Sequence, residues 1–367
     1  MGDRTEISWT DATWNWLLGC TRVSDGCVNC YAETMASRFS GPGKYYEGIA
    51  KRTKAGPRWT GKVVRAGAEK LFQPLSWTRP RMIFVNSMSD TFHEKVPHEW
   101  IDCAFAVMRL APQHRYQVLT KRPDRARAYF TDPAMPDRVE KLVAAYLRGG
   151  RGKHAPISWV NDGTGCYLGN AWLGTSIENE EAARKRLPDL LQTPAAIRFV
   201  SLEPLLGPID TERWFPSPYQ MMMRCTRCHW VGCSAPHREL CPQCETQMII
   251  LGTRIDWAIV GGESGSGARP MHPAWPREIR DACLASGTPF HFKQWGAFKV
   301  GSDFDPCATI VDRLGRCWPI SDREGLLGAD PRPIDPHAML RVGKHKSGRE
   351  LDGQEWLEMP TEMKDEE

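Results

Sequence analysis

Three cysteines near the start of the chain carry the clearest chemistry. The run WNWLLGCTRVSDGCVNCYAETMASRF places Cys20, Cys27 and Cys30 in a C-x6-C-x2-C array that opens a helix-like stretch from Tyr31 to Phe39. In a reducing compartment, clustered thiols point to metal binding or redox chemistry rather than to disulfides. A structural zinc site takes four ligands, whereas a [4Fe-4S] cluster held by three thiolates leaves one iron open to a small molecule. A loop bearing Gly26 and Ser24 suits such a cluster, and the helix start behind Cys30 offers unpaired amide donors to anionic sulfur. Two plainer readings stand beside this one: a zinc site completed by a distant histidine such as His93, or three unrelated buried thiols.

A second group, CTRCHWVGCSAPHRELCPQC, pairs Cys225 with Cys228 and, after twelve residues, Cys241 with Cys244. Paired CxxC knuckles close a tetrahedron around one Zn2+, so this stretch reads as a structural zinc ribbon. Exchange of a ligand with Cys233, His229 or His237, or a rubredoxin-like iron site, are its alternatives. Arg224, Arg227, Trp230 and Arg238 flank the knuckles as a nucleic-acid-binding ribbon would present them. A clip that only folds an insertion accounts for the pattern equally well. These two groups hold eight of the 13 cysteines; Cys103, Cys166, Cys283, Cys307 and Cys317 read as ordinary thiols.

The elements that must position these groups are short apolar runs rich in β-branched and aromatic residues. MIFVNS (82 to 87), YQVLT (116 to 120), AWLGTS (171 to 176), IRFVSLE (197 to 203), WAIVGG (257 to 262) and PFHFKQ (289 to 294) read as buried parallel strands. Helical segments around 98–111, 179–192 and 274–286 alternate with them, which predicts a parallel sheet covered by helices. The fold class expected is α/β, a partial or closed (β/α) barrel. Its parts would be barrel over 1–214, the ribbon insertion over 215–250, barrel again over 251–304, and a C-terminal extension over 305–367.

Ligands of α/β folds lie beyond the carboxyl ends of the strands, and there nearly every run ends in polar residues. Asn86, Ser87, Ser89 and Asp90 follow the first run, Lys121 and Arg122 the second, Ser176 and Glu178 the third, and Glu203 the fourth. Glu263 follows the fifth, with Arg269 and His272 soon after, and Lys293 and Trp295 close the sixth. Lys121 and Arg122 suit an anionic substrate, and Arg269 and His272 a substrate group or carboxylate, although His272 equally suits a helix cap. Trp295 would stack on a base or serve as core filler.

At 367 residues, 41% hydrophobic and 25% charged, the composition fits an ordinary globular chain and excludes fibrous or largely disordered classes. No stretch reaches the roughly 18 apolar residues of a membrane span, and the opening residues do not resemble a secretory signal, so a cytoplasmic protein without membrane partners is expected. The net charge of +4 is neutral on a nucleic-acid partner.

The segments ISWTDATWNWLLGCTRVSDGCVNCYAE, VNSMSDTFHEKVP, QVLTKRP, SLEPLLGPID, IVGGESGSGARPMHP and FHFKQWG resemble a family of phage and bacterial proteins. That family has long been labelled a domain of unknown function and is classed as radical-SAM-like. The resemblance runs in order from about residue 6 to 298. It implies a [4Fe-4S] cluster at Cys20, Cys27 and Cys30 whose open iron chelates S-adenosylmethionine (SAM), an electron donor, and a 5′-deoxyadenosyl radical that abstracts hydrogen from substrate. The loop departs from the C-x3-C-x2-C of most radical-SAM enzymes, with a longer first gap and Asn29 where an aromatic residue stands; Tyr31 could cover the cluster instead. Asn86, Ser87, Ser89 and Asp90, with Ser176, Glu178 and Glu203, are the expected SAM-holding residues. Glu263 and Lys293 are the expected catalytic ones. The GGE triplet at 261–263 follows a late strand and is expected to serve locally through close backbone approach. The expected activity is isomerisation of a modified nucleobase, an amino-acid-modified thymidine of phage DNA, in the cytoplasm of a bacterial host. A DNA repair lyase and a non-catalytic, zinc-dependent nucleic-acid-binding protein are the alternatives.

Overall fold

A computed structural model describes the chain apart from residues 1–4, 151, 153, 164, 217–221, 226–230, 234–247, 251–253, 302–306, 323–327, 330 and 362–367. Seven parallel strands make one sheet: β1 (Ala12–Trp14), β2 (Met82–Val85), β3 (Arg115–Thr120), β4 (Ala171–Ser176), β5 (Arg198–Leu202), β6 (Trp257–Gly261) and β7 (Phe290–Gln294). Six of these are the apolar runs read from sequence; β1, only three residues long, joins them beside β2, with Thr13 opposite Phe84. Every residue of β4 and β6 is buried, as expected of parallel strands covered on both faces. The order along the sheet is the order along the chain. A doubly wound sheet reverses its order at a switch point and this one does not, so the mixed α/β fold is compatible with a partial (β/α) barrel. β1 and β7 stand at opposite ends of that order, which leaves the partial form, not the closed one.

The chain divides into two units, residues 1–201 with 264–267, and residues 202–263 with 268–367. In the first, α1 (Tyr31–Arg38), α2 (His98–Leu110), α3 (Pro123–Phe130), α4 (Met135–Arg148) and α5 (Glu180–Leu191) alternate with the strands. Helix α5 begins where Asn179 accepts the Ala182 amide at 3.0 Å, an N-cap contact that supplies one of the helix's orphan donors. Trp14, Trp16, Phe105, Tyr116, Tyr129 and Phe199 are buried in this unit.

In the second unit, α6 (Ala274–Ser286) ends at Gly287, whose φ of 70° is a left-handed C-cap. Trp257, Trp275, Phe290 and Phe292 are buried there. The stretch expected as an extension contributes three strands to a four-stranded antiparallel sheet of β8 (Phe298–Val300), β9 (Ala308–Val311), β10 (Cys317–Pro319) and β11 (His337–Arg341), in the order β8-β11-β9-β10. Within the insertion, Met222–Cys225 pairs antiparallel with Val231–Cys233 and Met248–Ile250. Of the ribbon knuckles, Cys225 ends the first of these strands, and Cys228, Cys241 and Cys244 lie outside the described residues. Among the described residues no helix is long and apolar enough to cross a membrane.

Candidate functional site

The cysteine loop leaves β1 and is laced to the exits of β2, β3 and β4. Asn86 adopts φ 60°, a left-handed conformation that asparagine tolerates, and its buried amide accepts from Leu17 N at 3.2 Å and donates to Thr91 Oγ1 at 2.9 Å. Ser87 Oγ donates to Asn15 Oδ1 at 3.2 Å, and Ser89 Oγ to the Leu17 carbonyl at 3.0 Å. These three residues, expected to hold SAM, spend their side chains fixing the chain that leads into Cys20.

Asp90 is the hub of the next layer. Its buried carboxylate accepts from Thr120 Oγ1 at 2.7 Å, from the amides of Phe92 and Lys121 at 2.9 and 3.0 Å, and from Arg122 Nη1 at 3.0 Å. Arg122 also donates to Glu94 at 2.9 Å and to Thr21 Oγ1 at 2.7 Å, one residue after Cys20. Burial opposes charge on this guanidinium, but Asp90, Cys20 and Glu94 together hold its pKa above the ordinary arginine value. Of the two readings of Arg122, a grip on substrate phosphate or ordinary pairing with acids, the structure shows the pairing, with Asp90 and Glu94, in a buried place that braces the loop.

His93 completes that brace. Its Nδ1 accepts from Lys95 N at 3.1 Å and its Nε2 lies 3.0 Å from Thr21 Oγ1. Burial, reinforced by Arg122, pulls its pKa down to about 4, so the ring is neutral and Nε2 carries the proton. Both nitrogens are engaged, which fixes the ring beside Thr21.

At the other side of the loop stands Glu178, 1% exposed. It accepts from Ser24 Oγ at 2.8 Å and from Arg186 Nη1 at 2.9 Å, and pairs with the Lys121 ammonium. Gly26 packs on its side chain so closely that a Cβ there would overlap Glu178, which has no room to yield. Burial pushes the Glu178 pKa up, yet Lys121 and Arg186 outweigh it and leave the carboxyl below its ordinary range. A depressed folded pKa contributes stability above the unfolded value and loses it as pH falls through the folded one. The difference in unfolding midpoint between wild type and Glu178→Gln should therefore be largest near neutrality and shrink as pH drops below the usual glutamate range. A difference that stays constant in a pH series of thermal melts would refute this linkage.

The charges of Cys27 and Cys30 act on Cys20, and that of Cys27 acts on Cys30. Burial, aided by Asp90, pushes Cys20 up to about 12. Burial also raises Cys30, although the amides of Ala32 and Glu33, in the first turn of α1, bond to its sulfur and oppose the rise. Burial acts likewise on Cys27, but Lys121, the amides of Val23 and Ser24 and the Ser24 hydroxyl bring it below the ordinary thiol value. Since the thiolate is the ligand, Cys27 is the first of the three to be ready for metal.

Zinc–sulfur bonds of about 2.3 Å around a single ion hold the sulfurs of a tetrahedral site within roughly 4 Å of one another. Among the described residues, three ligand atoms all within 4.8 Å of one another occur only at His272, Asp335 and His337, not at the cysteines. The three thiols do not stand as the ligand set of one ion, and what suits them to an iron–sulfur cluster is the chemistry of the donors, three cysteines of one loop with Cys27 favoured as thiolate. Asn29, in the place of the usual aromatic residue, donates to the Gly267 carbonyl at 2.7 Å, and Tyr31, 55% exposed, donates to the Ser87 carbonyl at 2.7 Å.

The remaining expected residues lie in the second unit, except for Ser176, the buried last residue of β4, whose carbonyl accepts from Arg186 at 2.6 Å. Lys293 Nζ pairs with both oxygens of Glu203 at 2.7 and 2.9 Å. Glu263 is buried and takes three bonds from Arg269, through its amide at 2.9 Å, Nε at 2.8 Å and Nη2 at 2.6 Å. The GGE glycines serve locally, as expected: a Cβ on Gly262 would overlap the backbone of Trp295. His272 caps α6, its Nδ1 accepting from Ala274 N at 3.1 Å while Nε2 donates to the Asp335 carbonyl at 2.7 Å. Trp295 is core filler, its indole donating to the Glu350 carbonyl at 2.8 Å and its ring 5.2 Å from Phe292. Thr21, Glu94 and Arg186 escaped the sequence reading, although Glu94 stands four residues after Asp90 in one of the segments that carry the resemblance.

Residues 4–360 match a family described as a protein of unknown function (DUF5131). No curated protein and no solved structure matches the chain.

Proposed function

This chain belongs to the DUF5131 family, and we propose that it is a radical-SAM enzyme acting on a nucleic-acid base. The observation that carries the proposal is the cysteine loop: three thiols on one short loop, laced by buried charges to the exits of three other parallel strands. Cys20, Cys27 and Cys30 would each hold one iron of a [4Fe-4S] cluster, on a sheet read as part of a radical-SAM barrel. With SAM bound, such a cluster supplies one-electron cleavage of the sulfonium and, through it, hydrogen abstraction from substrate.

The chain's own part is positioning. Glu178 and Asp90 fix the two ends of the loop, Lys121 favours the Cys27 thiolate, and the first-turn amides of α1 bond the Cys30 sulfur. Glu263 and Lys293 are proposed as positioning residues of the second unit through Arg269 and Glu203. The ribbon cysteines Cys225, Cys228, Cys241 and Cys244 are proposed to hold structural Zn2+. An electron donor and a cytoplasmic setting follow from the same reading.

For substrate we favour an amino-acid-modified thymidine in phage DNA, rearranged by isomerisation; the resemblance supports this choice. Anaerobic incubation with SAM, dithionite and either thymine-modified, plain or ultraviolet-damaged DNA, read by mass spectrometry, tests it. A mass-neutral change confined to modified thymidine is expected. Repair of damaged DNA alone would replace isomerase by lyase, and SAM consumption with every DNA untouched would remove nucleic acid as substrate.

A further inference from the structure

The helix that follows Cys30 carries a strongly basic hairpin. Residues 50–53 and 56–59 pair antiparallel, with Ala50 opposite Trp59, and lie against α1. Between 38 and 65 the sequence holds eight lysines and arginines and a single acid, Glu47, a local charge of +7 in a chain whose total is +4. The rest of the chain is therefore net acidic, and the overall charge conceals the asymmetry. Arg38, Lys51, Arg52, Lys54 and Lys62 are exposed and Arg58 half-buried. Among the described residues none of these six is paired with a carboxylate. Arg122, Arg138 and Arg186 of the same unit are so paired, whereas exposed cations such as Lys141, Arg148 and Lys185 are not; what sets the hairpin apart is the density of its cations.

The hairpin is rigidly tied to the cysteine loop. Buried Glu33 of α1 accepts from Trp59 N at 2.6 Å and pairs with Arg22, which in turn donates to the Val28 carbonyl at 2.9 Å. Leu18, Ala32, Ala36, Tyr46, Ile49 and Ala50 form one apolar cluster against which Cys30 and Trp59 pack. At the other end, the Lys62 carbonyl crosses Gly19 so closely that a Cβ there would overlap it. Between hairpin and helix runs an open groove of roughly 270 Å³, lined by Arg38 and Arg52 with Thr34, Ser37 and Thr53.

We propose that this hairpin and groove are a binding surface for the phosphodiester backbone of nucleic acid, delivering it to the cysteine loop. Arg38 and Arg52 border one groove, and exposed cations without carboxylate partners, spread along a ribbon, match a polymer that repeats its charge. The six cations keep no carboxylates of their own, so phosphates replace counterions without breaking an ion pair. The surface rests on the proposed function only in the destination of the nucleic acid; binding itself needs neither iron nor SAM.

The test is fluorescence anisotropy with a short fluorescein-labelled DNA, single-stranded and duplex, on the full chain at several salt concentrations. The triple variant Arg52→Ala, Lys54→Ala, Arg58→Ala is expected to bind at least about tenfold more weakly and to lower the slope of log Kd against log salt by about 3, one for each lost phosphate contact. A control triple of exposed cations away from the hairpin, Lys141→Ala, Arg148→Ala and Lys185→Ala, is expected to bind within about twofold of wild type. Equal losses in both triples would make the effect one of net charge and overturn the proposal. So would unchanged binding in the hairpin triple, no binding by wild type, or displacement of DNA by polyglutamate as readily as by heparin, which would mark a surface for an acidic protein. Cleavage of SAM, measured separately without DNA, reports on the cluster, so a failed surface and a failed radical-SAM reading give different results.

Discussion

Alanine at Cys20, Cys27 and Cys30 together is expected to yield a folded but colourless protein that cleaves no SAM. Each thiol would hold a different iron, so losing all three removes every protein bond to the cluster. Iron bound after anaerobic reconstitution should fall from about four per chain to less than one. SAM cleavage should fall by well over a hundredfold, beyond the roughly 10–100-fold cost of disturbing groups behind metal ligands. The fold should survive: the three side chains are only partly buried, and the loop stays anchored by Asp90, Arg122 and Glu178. Far-ultraviolet circular dichroism separates loss of cluster from loss of structure. Full activity in the triple variant would end the proposal.

Asp90→Ala is expected to cost about 3–5 kcal/mol of stability, because it strands the Arg122 guanidinium in a buried place. Asp90 and Arg122 are 5% and 8% exposed, and the carboxylate serves four donors, one from Phe92 and three from consecutive residues 120–122. Its loss leaves Arg122 with Glu94, an exposed partner, and leaves Thr120 Oγ1 and two amides without their acceptor. Urea unfolding measures the effect, with Arg122→Met and the double variant completing a cycle. The double variant should be less destabilised than the two single losses added together, since no lone charge remains. Additive losses would show that the pair is not coupled. Iron retention should fall with stability, because Arg122 also holds Thr21, the neighbour of Cys20.

The strands were legible because parallel strands buried on both faces are written as continuous apolar runs, as in AWLGTS and WAIVGG. Three-residue β1 was not, since ATW alone carries no period. Polar residues at strand ends marked the site region, but not what each one does. Asp90, Arg122 and Glu178 stand out singly in the sequence, and only their pairing reveals that they brace the cysteine loop. For Trp295 and His272 the sequence leaves a ligand-facing role open beside core filler and helix cap, and the structure has a core ring and a helix cap, because burial is decided by chain segments far away, such as Glu350 and Asp335. The basic hairpin was present in the sequence as KRTKAGPRWTGK, but summing charge over the whole chain cancelled it against acids elsewhere.

The most direct measurement is electron paramagnetic resonance of the dithionite-reduced, anaerobically reconstituted wild type, recorded with and without SAM. If three thiolates leave one iron open, a reduced [4Fe-4S] signal appears and SAM shifts it by binding at that iron. A colourless protein carrying a single zinc at Cys20, Cys27 and Cys30, or a cluster signal that SAM leaves unchanged, contradicts the account.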